Sequence, residues 1–134
     1  MIAIKQVLYK DFIETPPGVF LILFHQRAIY EICFPGGYRE YSCSLKGLPW
    51  PGLAADLNLY FQGEDIRWVK YPLDRGGYSP FTLKVLETVR QIPYGETRSY
   101  REVAELCGSP RGARAVGQAV KSNRHPVLVP CHRV

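Results

Sequence analysis

Acidic residues are scarce where this 134-residue sequence is most basic: residues 98–134 carry seven Lys and Arg side chains against only Glu102 and Glu105. The first 97 residues balance at ten basic and ten acidic, so the C-terminal third supplies the whole net charge of +5. Asymmetry of sign confined to one short segment points to a polyanion partner, with nucleic acid foremost. Cysteine is also sparse. Cys33, Cys43, Cys107 and Cys131 form no C-x-x-C pair and no Cys/His grouping with zinc spacing, which argues against a disulfide framework and a metal site. No apolar run reaches the roughly 18 residues of a membrane span. Residues 1–5 lack the basic start and long apolar stretch of a secretory signal, so the chain reads as cytoplasmic, nucleoid-associated in a bacterium or archaeon and nuclear in a eukaryote. What is present, 46% hydrophobic against 22% charged residues, is enough to build one domain or a small domain packed on a smaller companion.

The expected fold class is mixed α/β. Runs at 2–9, 18–24 and 28–34 are rich in β-branched and aromatic residues, and His25-Gln26-Arg27 is short enough to join the last two as a hairpin. Pro35-Gly36-Gly37 ends that segment. After the turn cluster Pro49-Trp50-Pro51-Gly52, the spacing of Leu53, Leu57 and Tyr60-Phe61 predicts a short helix closed by Gly63, and residues 65–73 read as one more strand. Asp74-Arg75-Gly76-Gly77 is the best boundary in the chain, separating a strand-rich part (1–77) from a helical part (78–134).

From Ser79 the apolar period becomes helical. Ser79 precedes Pro80 as an N-cap, and Phe81, Val85 and Val89 form a stripe that Pro93-Tyr94-Gly95 stops. Ser99 and Glu102 have the spacing of a capping box for a second helix whose buried face is Val103, Leu106 and Cys107. Gly108-Ser109-Pro110 leads to a third helix, from Pro110 or Arg111 to about Ser122. Two short helices on a tight turn make either a helix-turn-helix or an ordinary core hairpin. Composition favours the former: Gly112, Ala113, Ala115, Gly117 and Ala119 strip the third helix of bulk and leave Arg111, Arg114 and Lys121 long and charged. Each interior Gly costs a helix about 1 kcal/mol against Ala, a loss that close approach to another surface such as DNA offsets.

The chain ends in Val127-Leu128-Val129-Pro130-Cys131-His132-Arg133-Val134, read as an apolar strand carrying a thiol beside an imidazole. A thiolate is a nucleophile, and a neighbouring His can take its proton. Adjacency alone leaves packing open as the role of this cysteine, because strand neighbours point to opposite faces. Cys33, Cys43 and Cys107 are assigned to packing.

Taken together, Ile92-Pro93-Tyr94-Gly95-Glu96-Thr97, Ser99-Tyr100, Arg114-Ala115-Val116-Gly117, Asn123 and Pro130-Cys131-His132-Arg133-Val134 resemble the O6-alkylguanine-DNA alkyltransferases, the methylated-DNA–protein-cysteine methyltransferases. The resemblance is strongest over residues 79–134. It implies an N-terminal ribonuclease-H-like β-sheet domain and a C-terminal helical, winged-helix-like domain with a helix-turn-helix. It also implies a monomer that repairs double-stranded DNA containing O6-alkylguanine by stoichiometric alkyl transfer, with no cofactor. Cys131 is then the acceptor, His132 its base through a water, and Tyr100 the group that presses on the target's phosphate and protonates the leaving guanine. Arg114 enters the stack behind the flipped base, Lys121 meets phosphate, Ala113 and Gly117 line a minor-groove surface, and Asn123 is a hinge. The carbonyls of Cys131 and Val134 accept from the guanine amino group.

The family pattern continues past PCHRV with a loop over the base, a glutamate that orients the histidine and a final helix. This sequence is therefore read as truncated just after the motif, with weaker thiol activation expected. Two other classes are carried beside transfer: a damaged-base-binding alkyltransferase-like module, against which Cys131 argues, and a helix-turn-helix transcription regulator, which wants a dimer interface and a bulkier base-reading face.

Overall fold

The computed structural model describes residues 7–134. They divide into two compact units, up to Asp74 and from Arg75 onward. The class is mixed α/β, with a four-stranded sheet in the first unit and helices in both.

In the first unit, β1 (Tyr9–Thr15), β2 (Gly18–His25) and β3 (Ala28–Cys33) form an antiparallel meander, and β4 (Ser44–Leu45) adds in parallel to β1, giving the order β3-β2-β1-β4. The centre of the sheet is β2, and its sequence says why: Phe20 to Phe24 are apolar without a break, and all are buried. Successive side chains alternate between faces. Phe20 meets Phe61, with ring centroids 5.5 Å apart, and Phe24 meets Trp50 at 6.0 Å. On the other face Leu21 and Leu23 pack with Cys33 under Tyr30, Tyr38, Tyr41 and Cys43. Gly18 opens β2 at φ 137°, and a Cβ there would lie 2.7 Å from the Pro35 side chain, so glycine is required.

The strand expectations do not all carry over. The run at 2–9 lies mostly outside the described residues, among which the first strand is Tyr9–Thr15. Its charged Lys10, Asp11 and Glu14 mask the β pattern, yet every residue is paired with β2 across the two-residue Pro16-Pro17 turn. Residues 65–73 are not a strand: Trp68–Lys70 is a 3-10 turn, and only Leu73 makes a β-bridge, to Ile29. The aromatic residues there serve packing. Trp68 is buried beside Tyr60, and the Tyr71 hydroxyl donates to Asp56 at 2.5 Å, which also receives Lys70 at 2.8 Å. Those two donors hold the Asp56 carboxylate below its ordinary pKa and fix α1 (Leu53–Phe61), whose Leu53 and Leu57 are fully buried.

In the second unit α2 (Pro80–Arg90) is capped by Ser79, whose hydroxyl accepts from the Thr82 amide at 3.1 Å. It buries Val85, Leu86 and Val89 and packs against α3 (Tyr100–Leu106), α4 (Ala113–Lys121) and a 3-10 turn at Cys131–Arg133. The capping box of α3 is present: the Glu102 amide donates to Ser99 Oγ at 3.0 Å and the Ser99 amide to Glu102 Oε1 at 2.9 Å. The Ser99 amide, and after it the Ser99 side chain, keep the Glu102 carboxylate ionised to lower pH than an ordinary glutamate. Leu106, expected in the buried face, is 63% exposed; Ala104 takes its place. The third helix starts at Ala113, because Ser109–Gly112 forms a turn closed by the Gly112 amide on the Ser109 carbonyl.

Candidate functional site

Helix α4 buries Val116 and Ala119 and turns Arg114, Ala115, Gln118 and Lys121 outward. Positions 114, 118 and 121 are spaced i, i+4, i+7 and form a single stripe, and exposed Arg111 stands in the turn just before the helix. Among the described residues no carboxylate pairs with Arg111, Arg114 or Lys121, in contrast to Arg98, which meets Glu96 at 2.9 Å, and Arg101, which meets Glu105 at 3.4 Å. A stripe of cations left without internal partners is available to an external anion. Tyr100, the first residue of α3, is 46% exposed, and its ring lies over α4 where Gly117 stands: a Cβ at 117 would be 3.5 Å from it. Ala113 is half-buried at the helix start.

The expected terminal strand is instead a turn. Pro130 has no amide to give a ladder, the Cys131 amide folds back on the Val129 carbonyl at 2.7 Å, and the Arg133 amide donates to Pro130 at 2.9 Å. The outcome is a half-buried Cys131 at the apex of a tight turn, with His132 exposed and Val134 half-buried, its amide on the Cys131 carbonyl at 3.2 Å.

Arg133 anchors this turn. Its guanidinium donates to the Ile92 carbonyl at 2.8 Å and lies 5.5 Å from the Tyr94 ring centroid, while its own carbonyl accepts from the Arg98 amide at 2.8 Å. Arg98 is two residues ahead of Tyr100, so the cysteine turn and the start of α3 share a backbone hydrogen bond. Asn123 ties the other end: its amide group donates to the Val129 carbonyl at 3.1 Å and its oxygen accepts from the His125 amide at 2.9 Å. Partial desolvation, then the charge of Arg133, holds the His132 pKa below its ordinary 6.5, so the imidazole is neutral at pH 7.

The other cysteines differ in setting. Burial first and Glu31 second push the Cys33 thiol up to about 11, which leaves it protonated and unreactive at neutral pH. Cys107 is buried on Thr88 Oγ1 at 3.3 Å, and all four cysteines are free.

A family model described as the DNA-binding domain of 6-O-methylguanine DNA methyltransferase matches residues 80–134. The constitutive methylated-DNA–protein-cysteine methyltransferase of Bacillus subtilis is 50% identical over 133 residues, covering 94% of this chain and 79% of that protein. The chain belongs to the methylated-DNA–protein-cysteine methyltransferase family. A second member, from Methanosarcina barkeri, is 31% identical, with 95% of this chain and 82% of the relative covered. Among solved structures, Mycobacterium tuberculosis OGT in complex with DNA superposes with a TM-score of 0.81 at 34% identity, covering 94% of this chain and 77% of that one. The enzyme class is thus that of a methylated-DNA–protein-cysteine methyltransferase, and the two-unit α/β architecture is that of its structural relatives.

Within the family frame, contacts join Tyr100 to Gly117, Asn123 to the loop before Cys131, and the cysteine turn to the start of α3. Arg114 and Lys121 stand apart: among the described residues no hydrogen bond or ion pair links them to that turn. Sequence reasoning missed the anchoring by Arg133 and Arg98, although Arg133 inside PCHRV was a signal that could have found it.

Proposed function

We propose that this chain removes an alkyl group from O6-alkylguanine in double-stranded DNA by a single transfer to Cys131. The Cys131 sulfur attacks the alkyl carbon; the S–C bond forms as the C–O6 bond breaks, and the electron pair leaves with the guanine. The thiol proton departs through His132 and a water. The guanine gains a proton from the Tyr100 hydroxyl, which solvent replenishes, so the sum is guanine plus S-alkylcysteine. A thioether is a poor leaving group, which makes the event stoichiometric, one lesion per protein.

Alkylated O6 inside a duplex cannot reach a half-buried thiol, so the nucleotide must leave the stack, at a cost of a few kcal/mol. Arg114 offsets part of that cost by filling the vacancy, Lys121 and Arg111 contact phosphate, and Tyr100 presses on the backbone. Ala113 and Gly117 keep α4 thin, which suits a helix-turn-helix in the narrower minor groove, where the base code is degenerate and affinity comes from phosphates. Asn123 is the hinge, and the Cys131 and Val134 carbonyls receive the guanine amino group. A neutral His132 at pH 7 is the form that accepts a proton.

The observation that carries the reading is the half-buried Cys131 on a turn hydrogen-bonded to the start of α3, the helix whose Tyr100 ring lies over Gly117 of α4. Intact mass and peptide mapping after mixing with a duplex carrying one O6-methylguanine test it. The expected result is one added methyl on Cys131. Duplex binding with no mass gain would replace transfer by lesion recognition alone.

A further inference from the structure

The loop 123–130 connects α4 to Cys131, and it is held in an uncomfortable conformation. Val127 has φ 75°, a left-handed backbone that β-branched side chains rarely adopt, and it is only 4% exposed. Such a conformation persists only where its surroundings over-determine it. Inside the loop the Val129 amide donates to the His125 carbonyl at 2.8 Å, and Asn123 bridges Val129 and His125. Outside it, the residue before the α2 cap holds the N-terminal end. The Arg124 amide donates to the Tyr78 hydroxyl at 2.8 Å, and the Arg124 guanidinium lies over the Tyr78 ring, 4.3 Å from its centroid. The Gly77 Cα passes close enough that a Cβ there would sit 3.8 Å from the guanidinium. Tyr78 precedes the Ser79 cap, so it is mounted on the rigid start of α2.

We infer that Tyr78 is a positioning residue for alkyl transfer: by gripping Arg124 through both its backbone amide and its guanidinium, it pins the strained loop that leads from α4 to Cys131. The two contacts act on adjacent features of one residue, backbone and side chain, so Arg124 can neither rotate nor slide without giving up one of them. Asn123 and Tyr78 then both hold the loop, at neighbouring positions. The inference rests on the proposed transfer to Cys131 for its kinetic consequence, and on the loop geometry for its structural one. Binding of DNA by the α4 stripe does not pass through Tyr78.

The test compares the full chain with Tyr78→Phe, which removes the hydroxyl and keeps the ring, and Tyr78→Leu, which removes both. Single-turnover transfer at saturating O6-methylguanine duplex should slow about five-fold in Tyr78→Phe, the effect of one hydrogen bond, and about ten- to thirty-fold in Tyr78→Leu. Affinity for the same duplex should stay within about two-fold, because Tyr78 is not among the residues proposed to contact DNA. In parallel, hydrogen exchange at the Val129 and Cys131 amides should quicken in Tyr78→Leu while that of α4 is unchanged. Unaltered exchange at those amides, or a transfer loss matched by an equal loss of affinity, overturns the inference. If the unsubstituted chain transfers no methyl, the proposed function fails, and the exchange result still decides whether Tyr78 holds the loop.

Discussion

Strand β2 and helix α4 show two uses of a short segment. From Phe20 to Phe24 every side chain of β2 is buried, packed on the α1 face or on the tyrosine face, and nothing is left over for chemistry. Helix α4 buries two side chains, Val116 and Ala119, and gives the rest to an outward stripe and to small residues. The first segment is stable because of what it contacts; the second is positioned by its neighbours and keeps its own polar groups uncommitted. The two cysteines Cys33 and Cys131 repeat the contrast. One is a thiol sealed beside Glu31, the other a half-buried thiol at the apex of an anchored turn.

Substituting each cysteine is the harshest way to break that comparison. Cys131→Ser should reduce methyl transfer by at least about a thousand-fold, because a serine hydroxyl is not ionised at neutral pH, while duplex binding persists. Cys33→Ser should leave the transfer rate unchanged. Labelled methyl reaching the Cys131→Ser protein would remove Cys131 from its role.

Next in size is stability. Leu57→Ala takes a fully buried side chain from beneath the sheet and should cost about 2–5 kcal/mol in a urea titration. Gln118→Ala, on the outward face of α4, should change stability by less than about 0.5 kcal/mol. A large destabilisation at Gln118 would mean that α4 is packed on a surface and not presented.

Much of this division was legible in the sequence, and the reason is range. Ser79 and the Ser99–Glu102 box act over three residues, so a local reading finds them. The apolar runs of β2 and β3 are likewise local. The failures are all non-local. Residues 65–73 look like a strand by composition, yet their partners are Asp56 and Tyr60 and no full sheet edge. Strand β1 was missed because its charged side chains hide a pairing that only β2 reveals. The terminal thiol was expected on a strand, but Pro130 denies the ladder an amide and Arg133 reaches back to Ile92, 41 residues earlier. Tyr78 and Arg124 lie 46 residues apart, and no spacing rule connects them.

A finer cut at the comparison is Arg114→Ala. If Arg114 fills the gap behind a flipped base, its removal should weaken duplex binding about ten-fold, the scale expected for one charged side chain at a nucleic-acid interface. A single strand of the same sequence, having no stack to hold open, should be weakened less. Equal weakening on both substrates, read by fluorescence anisotropy at one salt concentration, would reduce Arg114 to a phosphate contact.

The smallest expected effect separates stability from function most sharply. Gly117 sits inside α4, where glycine is a poor helix residue, and the space above it is not closed: an added Cβ would lie 3.5 to 3.8 Å from three atoms of the Tyr100 ring, ordinary contact. Gly117→Ala should therefore raise stability by about 0.5–1 kcal/mol through helix propensity. Packing alone gives no reason for a glycine at this position. If the reason is close approach of α4 to a groove, with Tyr100 free to adjust over it, the same substitution should weaken duplex binding while the unfolding midpoint rises. Opposite signs in the two measurements would assign Gly117 to the DNA-facing surface. A rise in stability with unchanged affinity would leave α4 thin for no reason connected with DNA, and would move the contact surface toward the Arg111, Arg114 and Lys121 side chains alone.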